Sequence, residues 1–265
     1  MNKLFFQGLL SICIFFGLWC SLQQVNWLLL LNIEQTQISP EETVGDLYWE
    51  YLSSEEKEIT NNFVLQSIDS ILTTICESNH INSKNIQLHI IDNAEINAFA
   101  LPNKHLLITS GLLLASENEI ELAGVISHEL AHIELNHVIK KLAKKLGLSV
   151  ITAISSGNNK GQIIREGIKL LSSSAYDRNL EKEADLKAVK YLENTRLKSD
   201  AFASFLYRLS LLEQIDSKHL VWMSTHPNSK DRVKYILKNS NPYLKKESSI
   251  LHKDTWAKLK LRLKI

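Results

Sequence analysis

The chain has 265 residues, of which 45% are hydrophobic and 22% are charged, and both fractions are ordinary for a folded protein. A formal net charge of +1 argues against a nucleic-acid-binding protein, and the sequence carries no zinc-ribbon, Walker or dinucleotide-binding motif. Cys13 and Cys20 fall in an apolar N-terminal segment, so Cys76 is the only other thiol and no disulfide is expected outside that segment.

The N-terminal segment has the composition of a membrane anchor or a signal peptide. Residues 4–19 contain no charge, and no small-x-small cleavage site follows them. Trp19 before Cys20 is also a poor lipoprotein cleavage context, so we predict an uncleaved anchor, with signal cleavage as the alternative. A lysine precedes the segment and acidic residues follow it, which places the rest of the chain outside the cytoplasm, in a bacterial periplasm or envelope. We therefore divide the chain into residues 1–33 and one globular domain over 34–265.

The elements of this domain can be predicted in chain order from hydrophobic periodicity and turn residues. Helical spacing covers residues 39–52, 61–77, the stretch that follows a capping box of Ser116 and Glu119, and the stretch from Asp177 to Leu192. Alternating residues predict strands over 86–91, 98–101 and 105–109. The sequence thus indicates an α+β fold that is mostly α-helical, with a small β-sheet beside the third of these helices.

That third helix contains the sequence HELAH at residues 128–132. Two histidines four residues apart share one face of a helix, so both imidazoles can bind one zinc ion. Glu129 then lies beside the metal, where a carboxylate can act as general base in metal-assisted peptide hydrolysis. A chance match is the alternative for any short motif, but the helical context favours a metal site.

A catalytic zinc site usually has three protein ligands, so one must come from elsewhere in the chain. His137 lies five residues after His132, which puts it on another face of a continuous helix and predicts a solvated or capping residue. Glu181 and Asp185 are four apart on the next predicted helix and share a face. One can bind the metal while the other accepts the free N–H of a liganding imidazole. A charged, solvated helix face is the alternative reading of this pair.

Together these segments resemble family forty-eight of the metallopeptidases, and in particular its single-anchor or periplasmic BepA-like members. The resemblance rests on HELAH and on ExxxD at 181–185 within YDRNLEKEAD. It also rests on NAFALP at 97–102 and on STHP at 224–227, which Arg232 follows. In this order the motifs cover approximately residues 40–240. The family commonly has two glycines after the proline of its strand segment, where this chain has Asn103 and Lys104.

The resemblance implies a gluzincin-type zinc endopeptidase domain at 34–265. By its pattern His128, His132 and Glu181 bind one zinc ion per chain, with Glu129 as the base. Asp185 would accept a hydrogen bond from the free N–H of a liganding imidazole.

The family pattern also bears on three other residues. It implies that His226 reaches the metal as a fourth ligand in a closed, inactive state, whereas the competing role for this histidine is to stabilise the oxyanion. Arg178 and Arg232 would support the site.

The expected partners are polypeptides and a membrane. An exposed edge of the predicted sheet would let an extended polypeptide substrate add as a strand, which tolerates many side chains. The family suggests unfolded or misassembled envelope proteins as substrates. The alternatives are a non-proteolytic assembly factor or chaperone, which would not need Glu129, and a prenyl-protein protease, which the single candidate span disfavours. The basic, alternating tail at 258–265 is expected to form an edge strand, to lie on an anionic membrane or to be solvated.

Overall fold

The computed structural model describes Gln7 and residues 40–147, 160–212, 220–227, 229–243 and 249–263. Apart from Gln7, the predicted anchor over residues 1–33 lies outside the described residues, as does its boundary with the following domain. A glycine-rich and polar stretch at 155–161, which the sequence suggests as a lid, lies outside them up to residue 159. Within the described residues no helix has both the length and the apolar composition needed to cross a bilayer.

Helices dominate the described chain, and a small sheet precedes the central one. The helices are α1 Pro40–Glu55, α2 Asn62–Ser78, α3 Ser110–Ala115, α4 Glu119–Glu134, α5 His137–Leu146, α6 Lys160–Ser173, α7 Arg178–Asn194, α8 Asp200–Leu212, α9 Val221–Thr225, α10 Ser229–Asn239 and α11 Lys253–Leu263. The strands are β1 Gln87–Ile91, β2 Ala98–Leu101 and β3 His105–Thr109, and a 3-10 turn spans Ser83–Asn85. The predicted mostly helical fold with a small sheet is therefore confirmed.

The sheet has the order β1-β3-β2, so β3 is central and β2 lies at one edge. β3 pairs in parallel with β1 and antiparallel with β2, in a register that sets Leu101 opposite His105. The turn between β2 and β3 has φ of 57° at both Asn103 and Lys104. Glycine adopts such angles most readily, so the turn keeps a backbone suited to the family's two glycines with two other residues in their place. All four residues of β2 are buried, whereas an exposed edge was expected.

The polar side chains of β1 are covered by a helix rather than by solvent. Trp49 of α1 stacks on His89 with 3.5 Å between ring centroids. His89 Nε2 is 2.9 Å from His105 Nδ1, and His105 Nε2 is 3.2 Å from Asp46 of α1. These contacts fix α1 against β1 and against β3, the strand that leads into α3.

Helix α4 is the centre of the molecule and contacts α2, α7, α8 and β2. Gly124 allows α8 to approach closely, because a Cβ there would lie 2.5 Å from Cβ of Phe202. The helix begins at Glu119 and is capped by Asn118, whose side chain accepts hydrogen bonds from the Ile120 and Glu121 backbones. The predicted capping box is wrong, since Ser116 ends α3 and Glu119 instead accepts hydrogen bonds from the distant 250–251 backbone.

The described part of the basic tail, residues 258–263, is helical. Leu259 is fully buried, and Lys260 donates a hydrogen bond to the Leu114 carbonyl of α3. Trp256 donates to the Glu117 carbonyl from the same helix. The edge strand considered for this tail is therefore wrong, because the segment forms α11, which packs against α2 and α3 with Leu259 buried and Leu261 64% exposed.

Candidate metal centre

Helix α4 brings the two histidines of HELAH together in the core. Both side chains are fully buried, and their Nε2 atoms are 3.0 Å apart. Because residues four apart lie one above the other on a helix, this proximity follows directly from the spacing. The other nitrogen of His128, Nδ1, is 2.8 Å from Oδ1 of Asp185, so it can act as a donor to that carboxylate.

Helix α7 crosses α4 and contributes two carboxylates to the same place. Glu181 Oε1 lies 3.3 Å from Nε2 of His132, and Oε2 lies 3.7 Å from Nε2 of His128. Asp185 lies one turn further on and contacts the opposite side of the His128 ring. The helix begins at Arg178 after Asp177, but the Asp177 side chain pairs with Lys144 at 2.8 Å and does not cap α7.

His226 lies in the segment after α9, and its side chain contacts the group formed by His128, His132 and Glu181. Its Nδ1 atom is 2.9 Å from Glu181 Oε1 and 3.2 Å from His128 Nε2. Its backbone N–H donates to the Trp222 carbonyl, and the ring of Trp222 lies 4.7 Å from its own. The sequence-predicted residues His128, His132, Glu181 and His226 thus offer four ligand atoms, all within 4.8 Å of one another.

The spacing and chemistry of these four atoms fit a divalent cation. Ligands placed tetrahedrally about 2.0–2.1 Å from zinc are roughly 3.3 Å apart. The four nearest separations in the group lie between 2.9 and 3.3 Å. Oε2 of Glu181 and Nε2 of His226 are buried with an ionic contact but no hydrogen bond, and Oε2 of Glu129 is buried without a hydrogen bond. Buried polar atoms are rarely left in this state unless an ion or a water completes them. The donor set of nitrogens and carboxylate is one that zinc prefers.

The charges of the group also suit a metal, which requires neutral imidazoles and an ionised carboxylate. Burial lowers the pKa of His132 well below its usual range, against the opposing effect of Glu181. Burial also lowers the pKa of His226. For Glu181 burial acts to raise the pKa, but the surrounding imidazoles and the Arg232 guanidinium outweigh it and hold the pKa well below its usual range.

Glu129 points into the same space from between the two histidines. Its Oε1 accepts a hydrogen bond from Trp222 Nε1 at 3.0 Å and lies 3.3 Å from Nε2 of His226. Its other oxygen has no partner among the described residues. Trp222 in turn donates its backbone N–H to the carbonyl of Ile96, which lies two residues before β2. The geometry leaves one carboxylate oxygen of Glu129 ready to accept a proton.

Arg232 of α10 connects the acidic residues of the group. It forms hydrogen bonds with both oxygens of Asp185 and with the His226 carbonyl. Its Nη1 atom also lies 3.1 Å from Glu181 Oε2. Tyr235 donates a further hydrogen bond to Asp185. Arg178 is exposed at the first residue of α7 and takes part in none of the described contacts of the group, so its supporting role stays a prediction.

Sequence reasoning missed several residues that contact the group. His137 was predicted to be solvated or capping, and this is wrong, because it is fully buried with Nδ1 3.1 Å from Nδ1 of His132. Tyr176 lies against His132 with 4.2 Å between ring centroids, and Trp222 covers Glu129. Trp222 lies two residues before STHP and Tyr176 is the first residue of YDRNLEKEAD, which was the one available signal for them.

The whole constellation falls within a region that matches a known protein family. The sequence model of peptidase family M48 matches residues 64–240, which is more than half of the chain. The chain belongs to peptidase family M48. The family resemblance inferred from the motifs is thereby confirmed, and membership of a metallopeptidase family implies a divalent metal, for which the group above provides the ligands.

Individual M48 relatives are similar to this chain at low identity. The mitochondrial metalloendopeptidase OMA1 of Schizosaccharomyces pombe is 27% identical over 195 residues, covering 72% of this chain and 58% of that protein. The β-barrel assembly-enhancing protease of Escherichia coli is 24% identical over 221 residues, covering 74% and 43%. The metalloprotease LoiP of Escherichia coli is 29% identical over 175 residues, covering 62% and 68%. The chain thus spans about half the length of several of its relatives.

Proposed function

We propose that this protein is a zinc-dependent endopeptidase in which His128, His132 and Glu181 hold the metal and Glu129 is the general base. The observation that carries the proposal is the convergence of three buried ligand atoms in the core, next to the HELAH glutamate Glu129, whose Oε2 is buried without a hydrogen-bond partner among the described residues. When bound, zinc would polarise the scissile carbonyl and acidify a neighbouring water.

The residues of the chain would perform the remaining steps. Glu129 takes the proton of the attacking water and passes it to the leaving amine, so that the carboxylate returns to its ionised form. Asp185 accepts a hydrogen bond from Nδ1–H of His128, which leaves Nε2 of that ring with a lone pair for the metal. Arg232 balances the charge of Asp185 and Glu181 and so keeps both carboxylates ionised in the core.

His226 is proposed as a fourth ligand that closes the site. Its Nδ1 atom lies as near to Glu181 and His128 as these residues lie to each other. A fourth protein ligand would occupy the position that the attacking water needs. In this arrangement the enzyme is at rest, and movement of the segment after α9 would open it.

For substrates we propose unfolded or misassembled envelope polypeptides that bind in extended form along the edge strand β2. Backbone pairing of this kind reads few side chains, which suits substrates that lack a fixed fold. Two relatives support an envelope substrate, since their names describe proteases that enhance β-barrel assembly. Because β2 is buried beside α1 and α6, binding requires a rearrangement around this edge.

A non-proteolytic assembly factor or chaperone is the second candidate, since the names of two relatives couple protease with assembly. The intact Glu129 argues against it, because binding alone does not require a base. Zinc content of the purified protein, measured together with casein cleavage with and without a chelator, separates the two. One zinc per chain and chelator-sensitive cleavage support the endopeptidase, whereas bound zinc without any cleavage would favour the assembly factor.

We further propose that residues 1–33 anchor the protein in a membrane with the metallopeptidase domain in the periplasm. The proposal rests on the uncharged stretch at 4–19. Such a protein stays in the membrane fraction after a high-salt wash, and protease added to intact spheroplasts digests its C-terminal domain. A purified N-terminus that begins after Cys20 would show signal cleavage instead.

A further inference from the structure

His137 occupies an unusual position for a residue outside the recognised motifs. Asn136 separates α4 from α5 with a left-handed φ of 55°, and this sharp turn points the first residue of α5 back towards α4. The His137 ring is fully buried, and its centroid is 5.0 Å from that of His132. Nδ1 of His137 lies 3.1 Å from Nδ1 of His132, and Nε2 lies 3.3 Å from Oε2 of Glu183.

The contacts of this ring determine where its protons can be. A carboxylate accepts hydrogen bonds only, so Nε2 of His137 must carry the proton in its contact with Glu183. A neutral imidazole has one N–H, which leaves Nδ1 of His137 as an acceptor. Nδ1 of His132 must then be the donor across the 3.1 Å contact, and Nε2 of His132 is left with a lone pair. That lone pair faces His128 and Glu181, where the proposed metal would bind.

We propose that His137 is a positioning residue which, with Glu183 behind it, fixes the tautomer and the ring orientation of His132 for metal binding. The proposal rests on the proposed function, because it takes His132 as a zinc ligand. The two liganding histidines would then be supported by different chemistry. His128 donates a hydrogen bond directly to the carboxylate of Asp185. His132 instead donates to the neutral ring of His137, and that ring is oriented by its own hydrogen bond to Glu183.

The connecting ring is fully buried, and its Nε2 atom faces the Glu183 carboxylate. A cationic His137 would present an N–H to Nδ1 of His132 and would reverse the tautomer of that ring. A ring that accepts at Nδ1 is therefore what the metal-ready form of His132 requires.

The test is the zinc affinity of the full-length protein, measured by competition with a chromophoric chelator. Removing an outer hydrogen-bond partner of a metal ligand typically weakens metal binding by about 10–100-fold, and we expect this loss in His137→Ala. His137→Asn places an amide oxygen near the position of Nδ1, so it can still accept from His132 and should bind zinc within about threefold of the wild type. His252→Ala, at a histidine whose side chain is 81% exposed, is the matched control and should bind as the wild type does.

Urea unfolding of the zinc-free variants separates positioning from a merely structural role. A structural role predicts that His137→Ala and His137→Asn lose stability while both keep the wild-type zinc affinity. That result, or equal losses of zinc affinity in both variants, would overturn the proposal. If His137→Ala does not fold, Glu183→Ala at the exposed end decides, and an unchanged zinc affinity there would overturn it. Wild-type protein that binds no zinc would instead refute the proposed function, and this inference with it.

Discussion

The Arg232 guanidinium donates two parallel hydrogen bonds to Asp185, from Nε to Oδ2 at 2.7 Å and from Nη2 to Oδ1 at 2.8 Å. Oδ1 of Asp185 also contacts Nδ1 of His128 at 2.8 Å. A residue of α10 therefore acts through α7 on a histidine of α4, and all three side chains are buried. The two-pronged geometry is one that arginine can provide and lysine cannot.

Replacing Arg232 with lysine should destabilise the protein although the charge is kept. A single ammonium cannot bond both oxygens of Asp185 and also reach the His226 carbonyl, so buried acceptors are left incompletely paired. We expect the free energy of unfolding of the zinc-free protein to fall by about 2–4 kcal/mol, as measured by urea denaturation. Lys234→Arg on the exposed face of the same helix is the control, and a loss for Arg232→Lys no larger than that of the control would contradict this account.

Removing the His226 side chain should activate the enzyme. If His226 closes the site as a fourth ligand, His226→Ala should cleave an unfolded substrate several-fold faster than the wild type at unchanged zinc content. If it instead stabilises the oxyanion, the same variant should lose activity by roughly 10²–10³-fold. Initial rates on casein with zinc analysis of the same samples measure both outcomes, and the steep loss would refute the closed resting state.

Lys141 should make stability rise with pH in the alkaline range. Burial lowers the pKa of Lys141 from its usual 10.5 to about 8, against the opposing effects of Glu129 and Glu181. Below pH 8 the lysine is charged in both states, and the cost of burying the charge is fully present. Between pH 8 and 10.5 the folded state releases the proton first, so the unfolded state binds more protons and the free energy of unfolding increases.

The Lys141→Met variant isolates this effect. The difference in free energy of unfolding between wild type and variant should move in favour of the wild type as the pH rises from 8 to 10, by about 2 kcal/mol. Lys145→Met is the matched control, since Lys145 is exposed on the same helix and should show no such trend. A flat difference for Lys141→Met across this range would show that the buried amine titrates normally.

Cys76 should be unreactive in the folded protein. Burial raises the pKa of this thiol to about 12, and the side chain, which belongs to α2, is fully buried. The thiolate is the reactive form, so a thiol-specific reagent at pH 8 should label Cys76 after denaturation and leave it unlabelled before. Native labelling at the rate of a small free thiol would mean that α2 opens readily or is packed differently.

Much of the fold could be predicted from periodicity because the elements are locally encoded. The strands at 98–101 and 105–109 have their predicted bounds, and the helix that contains 128–132 begins two residues after the start that a Ser116 cap predicts. Its cap was misassigned because Ser116 and Asn118 are both good capping residues, and the choice depends on where α3 ends. The tail was misread as a strand because its alternating residues are also compatible with a helix whose apolar side packs on α3.

For the candidate metal ligands, the sequence predicts which residues share a face of one helix. His128 with His132, and Glu181 with Asp185, are pairs at i and i+4, so their shared face follows from the sequence. His137 was misplaced because the same rule assumes a continuous helix, and the left-handed turn at Asn136 breaks it. Contacts of Trp222 and Arg232 with the group depend on how α9 and α10 pack, which no local spacing encodes.

Cleavage of unfolded casein by the zinc-loaded Glu129→Gln protein tests the central claim most directly. Glutamine keeps the shape of the side chain and can still accept the hydrogen bond from Trp222, but it cannot take a proton from water. We predict one zinc per chain in both proteins, chelator-sensitive cleavage by the wild type, and cleavage by Glu129→Gln at least about 10²-fold slower. Turnover by Glu129→Gln near the wild-type rate, at equal zinc content, would contradict the assignment of Glu129 as the base and with it the proposed mechanism.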